Sequence, residues 1–211
     1  MLTVQNTNRV SVLPRISNSF SSNKNNFNTT LLNKSDSVAF TGLRVSQVQL
    51  TNDIKELVNL FYTAVKHNVE PNSKIPKFVD NIRRRILTYP FVKVAKQPNS
   101  ITESIKQGDK LVGGYSITLD RAKSTAHLGF MTLAPDVIKT KTGVDTLFLI
   151  GKRICENLEH NNIKEITLTT NSKNVQINNL LKRLDAQKVS QFFSESEYKI
   201  SVKQFKENLF D

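Results

Sequence analysis

The stretch from Ala126 to Leu184 constrains this chain more than any other, because the period of its apolar residues changes at each internal boundary. Ala126 to Leu133 is short and apolar, and Pro135 stops it, since proline cannot donate to a sheet ladder. From Gly143 the apolar positions are Val144, Leu147, Phe148, Ile154, Cys155 and Leu158, a helical stripe with Lys152, Arg153, Glu156 and Glu159 outside it. Asn161 and Asn162 tolerate a left-handed backbone and end that helix. Ile166 and Leu168 alternate with Thr167 and Thr169, which predicts a strand over Glu165 to Thr170. Asn174 then opens a second helix carrying Ile177, Leu180, Leu181 and Leu184. Strand, helix and strand in so short a span require a crossover, so the two strands are expected to lie parallel in one sheet. The expected class is α/β.

Two of these segments resemble the GNAT superfamily of acyl-coenzyme A-dependent N-acyltransferases. The family's first motif is a strand ending near a proline, a loop of the form Arg/Gln-x-x-Gly-x-Gly/Ala, and a helix. The loop here is Lys139-Thr140-Lys141-Thr142-Gly143-Val144-Asp145. The second motif is a strand followed by Asn-x-x-Ala-x-x-Leu-Tyr-x-Lys-x-Gly-Phe, and Asn174, Leu180 and Arg183 fall in its register. The resemblance spans Leu43 to Val202 and is carried by these two motifs. It implies a GNAT-like, mixed and mostly antiparallel sheet of six or seven strands flanked by helices. It also implies an acyl-CoA-dependent N-acetyltransferase in which acetyl-CoA meets an amine, on a small molecule or a protein.

On the same resemblance the backbone near Leu133 polarises the acyl carbonyl, and Asn174 borders the cofactor. The coenzyme A pyrophosphate rests on the turn formed by Lys139, Lys141, Thr142, Gly143, Val144 and Asp145. A helix N-terminus carries unpaired N–H groups and about half a positive charge, which suits a phosphate. Gly143 allows close approach and the lysines add charge. Three departures from the pattern bear on activity, among them Asp185 at the place of the second motif's glycine. Asp145 is expected in the first helical turn, where its carboxylate repels a phosphate, and Leu181 occupies the position of the family's proton-donating tyrosine. These departures keep open a GNAT-fold protein without catalysis that binds a partner.

The flanks read as follows. Arg44 to Leu50 alternates as a first strand, and Asn52-Asp53 caps a helix with the stripe Ile54, Leu57, Val58, Phe61, Ala64 and Val65. A second helix follows Pro76, with Phe78, Val79, Ile82 and Ile86 expected inward, Arg83, Arg84 and Arg85 outward, and its end before Pro90. Phe91 to Lys96 is expected as a strand and Gln97 to Asp109 as a polar loop. Lys110 to Asp120 and Thr125 to Leu133 form a hairpin, and its Gly113-Gly114 pair resembles the Leu-Val-Gly of the family's third strand. Val189 to Ser194 and Glu197 to Val202 are short strands that turn at Ser194 to Ser196, and Lys203 to Leu209 is an amphipathic end.

His127 lies on the strand before the motif loop, where an imidazole has a suitable pKa to take a proton from an ammonium through water, and a structural place in the strand is the alternative. Tyr115 and Tyr198 are candidate proton donors, with packing as the alternative for each. The one cysteine, Cys155, falls on the apolar helix face, and no His/Cys cluster has metal-ligand spacing. No apolar run reaches the length of a membrane span. Residues 1–42, rich in Asn and Ser with Arg9, Arg15, Lys24 and Lys34 against Asp36, read as a disordered tail rather than an address, and residues 43–211 as the acyltransferase domain. The tail has no secretory apolar core, so the cytoplasm is the expected location. The net charge of +12 attracts polyanions, which keeps a basic RNA- or ribosome-associated module as a further reading. Aromatics interleaved with the basic residues, the pattern of single-strand binding, are missing.

Overall fold

A computed structural model describes residues 42–70 and 74–210. The elements are β1 (Leu43–Gln47), α1 (Thr51–Val69), α2 (Lys77–Ala95), β2 (Ser100–Gln107), β3 (Lys110–Asp120), β4 (Thr125–Leu133), α3 (Lys141–His160), β5 (Glu165–Asn171), α4 (Val175–Arg183), β6 (Gln187–Phe192), β7 (Glu195–Ser201) and α5 (Val202–Phe210). The strands form one seven-stranded sheet in the order β1-β2-β3-β4-β5-β7-β6. Every neighbouring pair is antiparallel except β4 with β5, which are parallel as their crossover requires. The α/β class and the mixed sheet implied by the resemblance are what the chain adopts, with seven strands where six or seven were expected. The reading of the N-terminal tail lies outside the described residues.

Each face of the sheet carries its own core. Ile117, Leu119 and Ala126 of β3 and β4 pack with Ile150, Ile154 and Leu158 of α3 and with Phe205 of α5. On the other face Ile54, Leu57 and Val58 of α1 pack with Phe130 of β4 and Ala95 of α2. Gly114 lets the second contact close, because a Cβ there would stand 2.7 Å from Leu57 Cδ1 and 2.4 Å from the Glu103 carbonyl oxygen. The helix after β4 ends as expected, with Asn162 at φ 55°. Helix α1 starts at Thr51, ahead of the Asn52-Asp53 cap, and has no side-chain cap at Leu50.

Three expectations fail, each for a physical reason. Helix α2 does not end before Pro90 but runs to Ala95, so Phe91 to Lys96 is not a strand. An interior proline costs about 3 kcal/mol. Here Leu87, Phe91 and Ala95, four residues apart, share one helix face; Phe91 packs with Phe61 and Phe130 and Ala95 is buried, which offsets that cost. The second failure is the polar loop, since Ser100–Gln107 is strand β2, paired to both β1 and β3. Its central inward residue is Glu103, only 3% exposed, whose partners come from distant α3 and β3. Third, the α2 stripe points the other way. Phe78 is 75% and Ile86 66% exposed, whereas Arg83 turns toward α1 and Glu70. A smaller shift moves the last hairpin, which turns at Phe193 and Ser194 between β6 and β7.

The outward stripe on α2 has a direct test in stability. Phe78→Ala and Ile86→Ala should each change the unfolding free energy by no more than about 0.5 kcal/mol in urea denaturation, as surface substitutions do. Losses of roughly 2–5 kcal/mol, the range for core truncations, would put the stripe in the interior.

Candidate active site

The site originates in an incomplete ladder. Strands β4 and β5 pair only from Thr125↔Glu165 to Leu128↔Leu168. The register of β4 on β3 slips at this level, with Ser116 opposite Phe130 and Ile117 opposite Leu128, so Gly129 is the extra residue of a bulge. A bulge bends its strand and increases local twist. Past it, β4 continues with β3 and β5 with β7, and a gap opens between them. Ala134 donates its N–H to the Val112 carbonyl at 2.8 Å. Strand alternation therefore turns the N–H groups of Met131 and Leu133 away from β3, toward the gap.

A cavity of about 780 Å3 occupies this gap and is bounded by α1 and α2 on one face of the sheet and by α3, α4 and α5 on the other. Leu133, Gly143, Val144 and Asn174 of the expected cofactor residues line it. Lys139, Lys141, Thr142 and Asp145 sit beside it on the α3 turn and outside the lining. The turn is built tightly. Thr140 caps α3 by accepting the Gly143 N–H at 3.2 Å and donates its own hydroxyl to the Val137 carbonyl at 2.8 Å. A Cβ on Gly143 would stand 2.0 Å from the Val137 carbonyl oxygen, so packing of the turn on itself already demands glycine there.

Because α3 begins at Lys141, Asp145 falls in its second turn and no acidic residue occupies the first. That corrects the expected clash between Asp145 and a phosphate at the helix N-terminus. Lys139 and Lys141 stand exposed beside that terminus. Asn174 is the cap of α4, its side-chain oxygen accepting the Ile177 N–H at 3.4 Å. Leu181 is buried and lines the cavity.

None of the three candidate proton carriers, His127, Tyr115 and Tyr198, lines the cavity, Tyr198 lying on β7 opposite Leu168. Tyr115 is fully buried, donates to Glu103 Oε2 at 2.8 Å and accepts from Asn157 Nδ2 at 2.7 Å. Burial and then the Glu103 charge push its hydroxyl well above the ordinary tyrosine range, so it keeps its proton. Arg153 completes the group with Nη2 on Glu103 Oε1 at 2.6 Å and Nε on Oε2 at 3.0 Å. His127 is on the half of β4 still paired to β5, with Nδ1 3.1 Å from Thr167 Oγ1. Desolvation holds its pKa below the usual histidine value, against a pull upward from Glu197. Among the described residues no group of three His, Cys, Asp or Glu side chains could hold a metal, and no helix is long and apolar enough to cross a membrane.

Sequence reasoning missed the other wall. Phe61, Phe91 and Phe130 cluster there with ring centroids 5.0–6.3 Å apart. Arg83 holds Glu70 through two bonds of 2.6 and 2.7 Å, and this lowers the Glu70 pKa. Lys66 at 2.7 Å and Tyr62 at 2.9 Å hold Asp80 and lower its pKa likewise. The Arg83-Arg84-Arg85 cluster is thus divided, with Arg83 in an ion pair and Arg84 on Asn81. Glu195, at the start of β7, also lines the cavity and appears in no ion pair among the described residues. Thr140, three residues before Gly143, was the one local signal for the true helix start.

Solved structures share this architecture. The PaiA N-acetyltransferase from Thermoplasma acidophilum, in complex with coenzyme A, aligns with TM-score 0.58 at 13% identity, over 75% of this chain and 98% of that one. An acetyltransferase from Streptococcus agalactiae aligns at 0.55 and 13% identity, over 77% and 99%. Apo FdhC, a nucleotide-linked sugar GNAT, aligns at 0.53 and 17%, over 79% and 90%. The chain has the GNAT fold. No family model and no curated protein matches its sequence.

Gly143→Ala tests the turn. Overpacking costs typically 1–3 kcal/mol, and the substitution should lower stability by about that amount in thermal unfolding, with no ligand present. An unchanged melting temperature would mean that the turn does not close on Val137.

Proposed function

We propose that this protein is an acyl-CoA-dependent N-acyltransferase that transfers an acyl group to an amine, acetyl-CoA being the donor with the smallest acyl group. The observation that carries the reading is the open β4 edge. Two N–H groups with no strand partner, those of Met131 and Leu133, face a cavity that also meets the N-terminus of α3. Unpaired backbone donors in a water-poor site are costly unless a ligand accepts from them.

The donor residues fit coenzyme A. The first N–H groups of α3 at Lys141 and Thr142, with Lys139 and Lys141 alongside, suit a pyrophosphate. The apolar wall of Leu147, Leu180 and Ile177 suits the uncharged pantetheine arm. A thioester supplies an activated acyl carbonyl. The N–H of Leu133 would donate to its oxygen, where negative charge grows as the amine attacks. The new bond joins nitrogen to the carbonyl carbon, the carbon–sulfur bond breaks, and its electron pair leaves on sulfur. The amine must first lose a proton from its ammonium form. Of the two carboxylates on the lining, Glu70 is held by Arg83 and is the poorer base, which leaves Glu195 to take that proton through water. Leu181 returns no proton, so the thiolate is protonated by solvent.

Coenzyme A should raise the melting temperature, by an amount set by its concentration over its Kd. Glu195→Gln should lower kcat by about a hundredfold or more while the KM for the acyl donor holds. A protein that coenzyme A does not stabilise at millimolar concentration would be the GNAT-fold partner binder, the reading that Leu181 favours.

A further inference from the structure

Helix α2 presents an apolar face that the fold does not use. Its inner side packs Phe91 and Ala95 against α1 and Phe130. Phe78, Val79, Ile82, Ile86 and Tyr89 are turned the other way and are between 44% and 75% exposed. At 3.6 residues per turn these five fall within about 100° of the helix circumference, in a row about 17 Å long. No charged residue shares that arc between Phe78 and Tyr89. Single exposed apolar side chains are ordinary on a protein surface, whereas a continuous row rimmed by polar residues marks a contact. The rim here is basic. Lys77 precedes the row, Arg85 flanks it and Lys93 follows one turn after Tyr89, all three exposed. Among the described residues none of these cations enters an ion pair. The helix's one acid, Asp80, is held by Lys66.

We propose that this face seats on the surface of an anionic phospholipid bilayer, with α2 lying in the plane of the headgroups. An interfacial helix joins an apolar row that includes aromatic residues to lysines and arginines beside it, and here Phe78 and Tyr89 mark the ends of the row. The row enters the boundary between headgroups and acyl chains, and the stems of Lys77, Arg85 and Lys93 reach back to the phosphates. Helix α2 is not long and apolar enough to cross a bilayer, so it lies on one. Charge decides against the other occupants. A second copy would bring two basic rims together, and residues 1–41 carry four cations against one carboxylate. A net charge of +12 favours an anionic surface over both. No side chain of the row takes part in acyl transfer, so the inference stands or falls apart from that reading.

The chain has no tryptophan, so Tyr89→Trp places a single reporter in the row. The test mixes the full chain at low salt with vesicles of phosphatidylcholine alone, or of phosphatidylcholine and phosphatidylglycerol in equal parts, and sediments them. Binding to the anionic vesicles, weakened by salt, and a blue shift of the tryptophan emission are expected, with little binding to the neutral ones. Phe78→Ala, Ile82→Ala and Ile86→Ala together should weaken binding on the order of a hundredfold. Arg85→Ala and Lys93→Ala should each cost about fivefold. These side chains are exposed, so the variants should keep the parent's melting temperature, which is checked alongside. Sedimentation that survives the triple truncation, with unmoved emission, would assign the attraction to basic charge elsewhere and overturn the proposal. Emission already blue-shifted in the free chain would overturn it too, by placing residues 1–41 or a second copy on the row. Failure to bind either vesicle would remove the lipid and leave an acidic protein as the occupant.

Discussion

The structure depends on a ladder that stops early. Had β4 and β5 paired along their whole length, the sheet would be closed where the cavity now passes, and the N–H groups of Met131 and Leu133 would be spent on β5. The pairing ends at Leu128 and Leu168, with the bulge at Gly129 marking the departure. Each strand keeps its outer partner, β3 for β4 and β7 for β5, so the gap costs only the hydrogen bonds between the two. An opened ladder leaves donors on one edge, and the cavity and α3 arrange themselves around that edge.

The second requirement is that α3 hold its angle while its N-terminus faces the cavity. Apolar packing of Ile150, Ile154 and Leu158 supplies most of the contact. The buried Glu103, reached by Arg153, Tyr115 and Asn157, fixes the helix to β2 and β3 by direction as well as by area. A buried ion pair adds little net stability over an apolar replacement, but removing one partner strands the other at a cost of roughly 3–5 kcal/mol. Such a group selects one orientation of helix on sheet. Its value here lies in aim.

Much of this was legible where one residue period ran unbroken. The β3–β4 hairpin, α3, β5 and α4 follow from alternation or a helical stripe, and the parallel pairing of β4 with β5 follows from their connection. The misreadings arose where a partner far along the chain decided the outcome. Strand β2 has a carboxylate at its central inward position, which makes sense only with Arg153 fifty residues away. An interior proline usually ends or kinks a helix, and here the packing of Phe91 and Ala95 carries α2 beyond Pro90. The α2 stripe has helical spacing, yet periodicity does not say which side a sheet will cover. Candidate-site residues divide the same way. Gly143, Leu133 and Asn174 were found through motifs and meet at the cavity, whereas His127 and Tyr115 had suitable chemistry and lie elsewhere. Glu195 gave no signal, because only the β5–β7 pairing brings it to the cleft.

The central claim is that the open β4 edge and the start of α3 together receive an acyl-CoA. The most direct measurement is an amide-resolved NMR titration of the isotope-labelled protein with coenzyme A and then an acyl-CoA. The account predicts saturable shifts at the Lys141 and Thr142 amides with coenzyme A, and a further downfield shift at Leu133, on the open edge it shares with Met131, only when the thioester carbonyl is present. Saturable shifts confined to another surface, or an unmoved Leu133 in the acyl-CoA complex, would contradict it.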